Sequence, residues 1–126
     1  MENYDLQRAQ EHFAARVAYT TGVHELEVLI NQAKVGFQVV DVRYPRDFAA
    51  GHAPGAVNLP PGKWQNPALS KDLPVYVYCY DQTCHLAAEA SLELVKQGFR
   101  VIEVEGGWDR WMQKGFRVES TVAAAA

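Results

Sequence analysis

The sequence lacks most of the features that mark a specialised class of protein. It has only two cysteines among 126 residues, which are too few for a disulfide scaffold. No apolar run approaches the roughly 20 residues that a membrane helix needs. Basic residues are spread singly and the formal net charge is -3, so no stretch resembles a nucleic-acid footprint. We therefore expect neither nucleic acids nor membranes among its partners.

Its first residues, Met1 to Asp5, also lack a targeting pattern, because they contain neither a basic segment nor an apolar one. Together with two free thiols in place of a disulfide framework, this indicates a cytoplasmic protein. Hydrophobic residues make up 48% and charged residues 21%, close to the average for soluble globular domains. The length fits one domain with a single core.

Apolar patterns and turn residues divide the chain into alternating helices and strands. Periodic apolar residues predict an amphipathic helix over 6–19, which Thr20-Thr21-Gly22 would end and cap, and a second helix over 24–33. The predicted strands cover 37–43, 56–59, 75–79 and 101–104, and the later helices cover 44–50, 83–96 and 108–114. Strands that alternate with helices imply a mostly parallel sheet with helices on both faces.

The run that ends at Cys79 is apolar or aromatic at every position, as expected of a central parallel strand. Ligands of such sheets bind beyond the carboxyl ends of the strands, so the loop after Cys79 is the candidate site. A loop that leads into a helix directs backbone N–H groups toward a common centre, where they would stabilise a Cys79 thiolate or persulfide. The alternative is a buried structural cysteine, which is common at the end of an apolar strand.

Several motifs, in order and spacing, resemble the rhodanese-like (sulfurtransferase) domain family. They are Asp41-Val42-Arg43, Asp47-Phe48, the Gly-His-Ala-Pro-Gly-Ala-Val-Asn-Leu-Pro run over 51–60, the Cys79 loop and Gly106-Gly107-Trp108. The resemblance covers residues 20–119 and implies a three-layer α/β fold with a mostly parallel five-stranded sheet. Residues 1–19 would then be an appended amphipathic helix, and we expect 120–126 to form a disordered tail.

The resemblance also implies a reaction. Cys79 would take sulfane sulfur from a small donor such as thiosulfate as a persulfide and pass it to a thiol, a cyanide-like acceptor or a protein acceptor, without a cofactor. The cradle around it would be formed by Tyr80, Asp81, Gln82, Thr83 and Cys84. Active members usually carry glycine at the loop's fourth position and arginine or threonine at its sixth, where this chain has Gln82 and Cys84. The loop has no Lys or Arg, and Asp81 would oppose thiolate formation and repel an anionic donor.

Two residues at the end of the loop are open to more than one interpretation. Cys84 is either a resolving cysteine, which attacks a persulfide or sulfenate on Cys79 and leaves a disulfide, or a small residue in the first turn of the next helix. His85 is either an auxiliary source of charge or protons, or a solvent-facing helix residue. Cys79, Cys84 and His85 fall short of a zinc pattern, so we expect no metal.

Three functions follow from these alternatives. The first is a sulfurtransferase or sulfur carrier, the second a Cys79/Cys84 thiol–disulfide redox protein, and the third a non-catalytic binding module on the same scaffold. A phosphatase is disfavoured, since its Cys-x5-Arg loop would need arginine where this chain has His85.

Four further polar residues, Asp41, Arg43, Asp47 and His52, are predicted to support the fold and not to react. We expect Arg43 to pair with Asp47 and His52 to bond backbone groups of nearby loops. Tyr80 is expected to line the mouth of the pocket.

Overall fold

The computed structural model describes residues 2–32 and 35–121, which form alternating helices and strands. The helices are α1 (Leu6–Tyr19), α2 (Val23–Gln32), α3 (Pro45–Ala50), α4 (Leu86–Lys96) and α5 (Gly107–Gln113), and the strands are β1 (Thr20–Gly22), β2 (Gln38–Asp41), β3 (Val57–Asn58), β4 (Val75–Tyr78) and β5 (Val101–Glu105). The strands form one sheet in the order β1-β5-β4-β2-β3, and every pairing is parallel. The predicted α/β fold with a five-stranded sheet is confirmed.

The sheet is covered on both faces, and the central strand β4 shows why its sequence is apolar throughout. Val75 and Val77 face one core cluster together with the buried side of α4. Tyr76 and Tyr78 face the other cluster, which includes Leu26 of α2 and Trp111 of α5. Because successive side chains of a strand point to opposite faces, a strand between two helical layers has no solvent-facing position.

The segment Thr20-Thr21-Gly22 was expected to end and cap a helix, and it also forms a strand. Thr20 caps α1 through its backbone N–H, which donates to the carbonyl of Arg16. The same residues also form the edge strand β1, in which Thr20 pairs with Glu103 of β5. Three residues are too few to show an alternating pattern, so this strand is stabilised by its pairing partner and not by a local signal.

Helix α1 spans the predicted range but buries none of its residues. The side chains of Leu6, Phe13 and Val17, which produce its apolar period, are all exposed. Within the described residues, no helix combines the length and the apolar character that a bilayer crossing requires. At the other end of the chain, Thr121 donates its N–H to the carbonyl of Ala49. The rest of the predicted tail, 122–126, lies outside the described residues.

A buried ion pair joins Asp41 and Arg43. The Nη2 atom of Arg43 lies 2.8 Å from Oδ2 of Asp41, and the two side chains are 2% and 0% exposed. Arg43 also donates to the carbonyl of Gly51, and its guanidinium lies 4.4 Å from the ring centroid of Trp108. The expected pairing of Arg43 with Asp47 is therefore wrong. Residues two apart in an extended segment share a face, which brings Asp41 within reach first.

His52 does bond backbone groups, as expected. Its Nδ1 lies 2.7 Å from the carbonyl oxygen of Phe48, and its own N–H and C=O exchange 2.9 Å hydrogen bonds with Glu119. The ring also stacks on that of Phe48, with centroids 3.8 Å apart. These bonds attach the chain that follows α5 to the turn after α3.

We expect Arg43→Leu to reduce the free energy of unfolding by about 3–5 kcal/mol, because it leaves the Asp41 carboxylate buried without its partner. The matched control is Arg8→Ala, which removes an exposed ion pair with Asp5 and should change stability by less than about 1 kcal/mol. Urea denaturation of both variants measures the difference. Equal effects of the two substitutions would contradict the role assigned to the buried pair.

Candidate active site at the Cys79 loop

Cys79 lies immediately after β4, at the carboxyl edge of the sheet, and it is 2% exposed. Its carbonyl oxygen accepts a 2.8 Å hydrogen bond from the N–H of Trp108, and that of Tyr80 accepts one of equal length from Asp109. The start of α5 therefore holds the loop by its backbone. The loop thus lies beyond the carboxyl ends of the strands, the region where parallel sheets bind ligands.

Gly107 makes this close approach of α5 possible. A Cβ atom at position 107 would lie 2.7 Å from the carbonyl oxygen of Cys79 and 3.0 Å from the amide nitrogen of Asp81. Its φ of +59° is also a conformation that side chains with a Cβ rarely adopt. The second glycine of the Gly-Gly-Trp motif is thus required for the backbone of α5 to contact the backbone of the Cys79 loop.

Cys84 is joined to Cys79 by a disulfide, with the two Cα atoms 6.5 Å apart. This separation lies within the usual range for disulfides, so the four intervening residues do not keep the two cysteines apart. Cys84 precedes α4 and lies in the loop, because the helix begins at Leu86 and not at 83 as the sequence pattern indicated.

The loop uses part of its hydrogen-bonding capacity on itself. One carboxylate oxygen of Asp81 accepts 3.0 Å hydrogen bonds from both the N–H and the hydroxyl of Thr83. The backbone carbonyl of Asp81 accepts a 3.3 Å bond from the N–H of Cys84. Aspartate commonly bonds the backbone two residues on, and this turn replaces the helical start expected at Thr83. The N–H groups of Thr83 and Cys84, which were expected to point at the Cys79 sulfur, thus bond Asp81 when the disulfide is formed.

The side chain of Tyr80 lies elsewhere than expected, whereas His85 is exposed to solvent, as one of its two interpretations predicted. The hydroxyl of Tyr80 donates to the carboxylate of Asp47 and accepts a 3.1 Å hydrogen bond from the N–H of Tyr44. Burial and the Asp47 hydrogen bond raise the pKa of Tyr80. Tyr80 therefore ties the loop to α3. His85 is exposed and makes no capping hydrogen bond from its side chain, although it lies close enough to Glu103 to affect it electrostatically.

A small cavity of about 100 Å³ opens beside the disulfide, between the loop, α4 and β5. Its lining residues are Cys79, Asp81, Gln82, Cys84, Ala87, Glu103, Val104, Glu105 and Gly106. Sequence reasoning did not find Glu103 and Glu105. Their spacing could have indicated it. Val101, Glu103 and Glu105 occupy every second position of β5 and therefore share one face of the sheet. Val101 packs in the core cluster that contains Cys79, so the two glutamates lie on the same face as the cysteine.

The two glutamates have different surroundings. Arg16 of α1 donates to both carboxylate oxygens of Glu105, at 3.2 and 3.0 Å, and Gln82 donates to one of them at 3.1 Å. The Arg16 hydrogen bond is the main cause that lowers the pKa of Glu105. Burial raises the pKa of Glu103, the charge of Glu105 adds to this effect, and His85 opposes it. The cavity wall is therefore acidic. In the part of the chain that the structure describes, no group of three or more His, Cys, Asp or Glu side chains could hold a metal ion.

Comparison with known proteins assigns this arrangement to a family. The sequence model of the rhodanese-like domain family matches residues 22–114. This range is most of the chain and includes the Cys79 loop and the Gly-Gly-Trp motif. The chain belongs to the rhodanese-like domain family. A rhodanese-like match of this extent agrees with the motifs found in the sequence.

Individual relatives support the assignment. Thiosulfate sulfurtransferase GlpE of Pseudomonas putida is 41% identical over 81 residues, which cover 62% of this chain and 72% of that protein. The uncharacterized protein YqhL of Bacillus subtilis is 35% identical over 77 residues, and the match spans 60% of that protein. The crystal structure of the BH2092 protein from Bacillus halodurans superposes with a TM-score of 0.83 at 30% identity, covering 97% of this chain and 91% of that one.

We expect Gly107→Ala to destabilise the protein by about 2–4 kcal/mol, because the new Cβ atom combines a positive φ with a collision against the Cys79 loop. Gly115→Ala is the matched control, since Gly115 also has a positive φ of +69° but nothing within 4 Å of an added Cβ. It should cost about 1 kcal/mol. Thermal or urea denaturation checks both, and equal losses would show that the backbone contact to the loop is unimportant.

Proposed function

We propose that the chain is a single-domain rhodanese-like sulfurtransferase or sulfur carrier in which Cys79 holds sulfane sulfur as a persulfide. The observation that carries the proposal is the position of Cys79. It ends the central strand, opens a loop that the start of α5 holds by its backbone, and lines a cavity. A relative named a thiosulfate sulfurtransferase, at 41% identity over part of the chain, supports the same reaction class.

In the proposed cycle, the Cys79 thiolate attacks the outer sulfur of a donor such as thiosulfate. The bond between that sulfur and the sulfonate sulfur breaks, sulfite leaves with the electron pair, and Cys79 retains the transferred sulfur as a persulfide. An acceptor thiolate or cyanide ion then attacks the terminal sulfur, and the Cys79 thiolate leaves. No external oxidant or reductant enters either step.

Cys84 offers the persulfide a second route, which the disulfide in this structure supports. The Cys84 thiolate would attack the Cys79 sulfur, form the Cys79–Cys84 disulfide and release the outer sulfur as hydrogen sulfide. A thiol reductant would return the pair to the dithiol form. Cys84 is in this scheme a resolving residue, and His85 is an auxiliary residue at the loop's exposed end.

Intact mass spectrometry tests the persulfide directly. The reduced protein, freed of reductant, is treated with thiosulfate or a polysulfide, and we expect a gain of one sulfur atom that is lost in Cys79→Ser. Cys84→Ser is the control. It should keep the added sulfur longer, because it has no Cys84 thiolate to attack the Cys79 persulfide. The proposal fails if neither donor adds sulfur even at about 1 M salt, where the charge of the cavity is screened, or if sulfur is added equally to Cys79→Ser.

A second candidate function is a thiol–disulfide redox protein, and the Cys79–Cys84 disulfide is the observation that favours it. The redox function predicts that mild oxidant removes two hydrogens from the reduced chain and that both cysteines are required. Equilibration against a glutathione series should then give a single two-electron transition. The redox candidate is excluded if mild oxidant leaves two free thiols, or if Cys79→Ser loses hydrogens to the same extent.

A further inference from the structure

We infer that Glu103 and Glu105 set the charge preference of Cys79 among sulfur donors: they slow its reaction with anionic donors and favour neutral or ammonium-bearing ones. The inference rests on the proposed function, because it concerns the donor class of the same cysteine. It concerns β5, which sequence reasoning had not connected with the site.

The charge of the cavity is one-sided. Glu103 and Glu105 line it together with Cys79 and Asp81, and none of its described lining residues is Lys or Arg. The nearest cation bonded to this wall, Arg16, reaches it from α1 and is engaged with Glu105. A dianion such as thiosulfate that enters the cavity thus meets carboxylates where an anion site would need donors.

Glu103 is the side chain that most directly sets this field. Asp81 is hydrogen-bonded by Thr83, and Glu105 by Arg16 and Gln82. Among the described residues, Glu103 has no side-chain hydrogen bond and no ion pair, and only the exposed His85 opposes the effects of burial and of Glu105 on it. Its charge is consequently the least compensated in the cavity.

The position of Glu103 is also costly for the fold. It pairs in register with Val77 on one side and Thr20 on the other, in the face of the sheet that packs on α4. An apolar residue would fit this half-buried strand position better than a carboxylate next to Glu105. Side chains that oppose stability in this way are concentrated at functional sites.

The local potential at the Cys79 sulfur can be measured without any turnover. In Cys84→Ser, which cannot form the disulfide, Cys79 is treated with three methanethiosulfonates that carry aminoethyl, methyl or sulfonatoethyl groups. In each reaction the thiolate takes the alkylthio group and methanesulfinate leaves. We expect the cationic reagent to react at least about tenfold faster than the anionic one, relative to a small model thiol, with the neutral reagent between them.

Salt and substitution identify the source of the preference. The ratio of cationic to anionic rates should fall toward that of the model thiol at about 1 M salt, where charges are screened within a few ångströms. Glu103→Gln should reduce the ratio severalfold and should raise sulfur loading from thiosulfate. A change in the thiolate fraction of Cys79 alters the rates with all three reagents equally, so it cancels from the ratio. Glu27→Gln is the matched control, because Glu27 is a partly exposed residue of α2, on the opposite face of the sheet, and it should leave the ratio unchanged.

The outcomes separate this inference from the proposed function. A ratio equal to that of the model thiol, or one that Glu103→Gln leaves unchanged, overturns the inference even if Cys79 takes up sulfur. A charge-dependent ratio in a protein that no donor loads even at about 1 M salt supports the inference and overturns the persulfide function. If Glu103→Gln does not fold, the salt dependence of the Cys84→Ser protein decides, and a ratio insensitive to salt overturns the inference.

Discussion

The buried ion pair between Asp41 and Arg43 is the interaction on which the carboxyl edge of the sheet depends. Arg43 bonds Asp41 on its own segment, reaches the carbonyl of Gly51 after α3, and stacks against Trp108 at the start of α5. The backbone carbonyls of both residues accept hydrogen bonds from the side chain of Asn58. One desolvated charge pair therefore connects segments that lie far apart in the sequence, and α5 in turn holds the Cys79 loop. A buried ion pair contributes little net stability, but its loss would leave each of these segments without its common partner.

In the site, the backbone and the side chains determine different properties. The backbone sets the position of the loop, through two hydrogen bonds from the start of α5 that a glycine at 107 permits. The side chains set the charge around the sulfur, and they are acidic on β5 as well as in the loop. Replacing loop residues would thus alter the chemistry of the site more readily than its shape. This separation explains how one scaffold can support sulfur transfer, disulfide exchange or binding alone.

Much of the fold could be predicted from the sequence, because its strands and helices carry strong local patterns. The apolar run that ends at Cys79 indicated the central strand, and the apolar period over 6–19 indicated α1. Strand β1 could not be predicted from its three residues, because its hydrogen bonds come from β5, more than 80 residues away. The start of α4 was placed three residues early, since the Asp81 turn competes with the helix for the same N–H groups.

The site was only partly predictable, for a related reason. Position along the chain could indicate Cys79 and its loop, since both lie where a strand ends. It could not show that Tyr80 turns toward Asp47, or that Glu103 faces the cysteines, because those contacts depend on how separate elements pack. The Arg43 partner was mistaken for a different reason: two carboxylates were near in sequence, and the one two residues away in the extended segment shares a face with Arg43.

The link between Arg16 and Glu105 has a practical consequence for anyone who isolates the domain. The family match covers 22–114 and leaves out all of α1, which looks like a dispensable extension because none of its residues is buried. Yet α1 supplies the guanidinium that neutralises one carboxylate of the cavity wall. A fragment trimmed to the family boundaries would lose this guanidinium together with most of β1 and the chain after 114, and the cavity beside Cys79 would be more negative than in the whole chain. Its reactivity would misrepresent the parent protein, even with every loop residue in place.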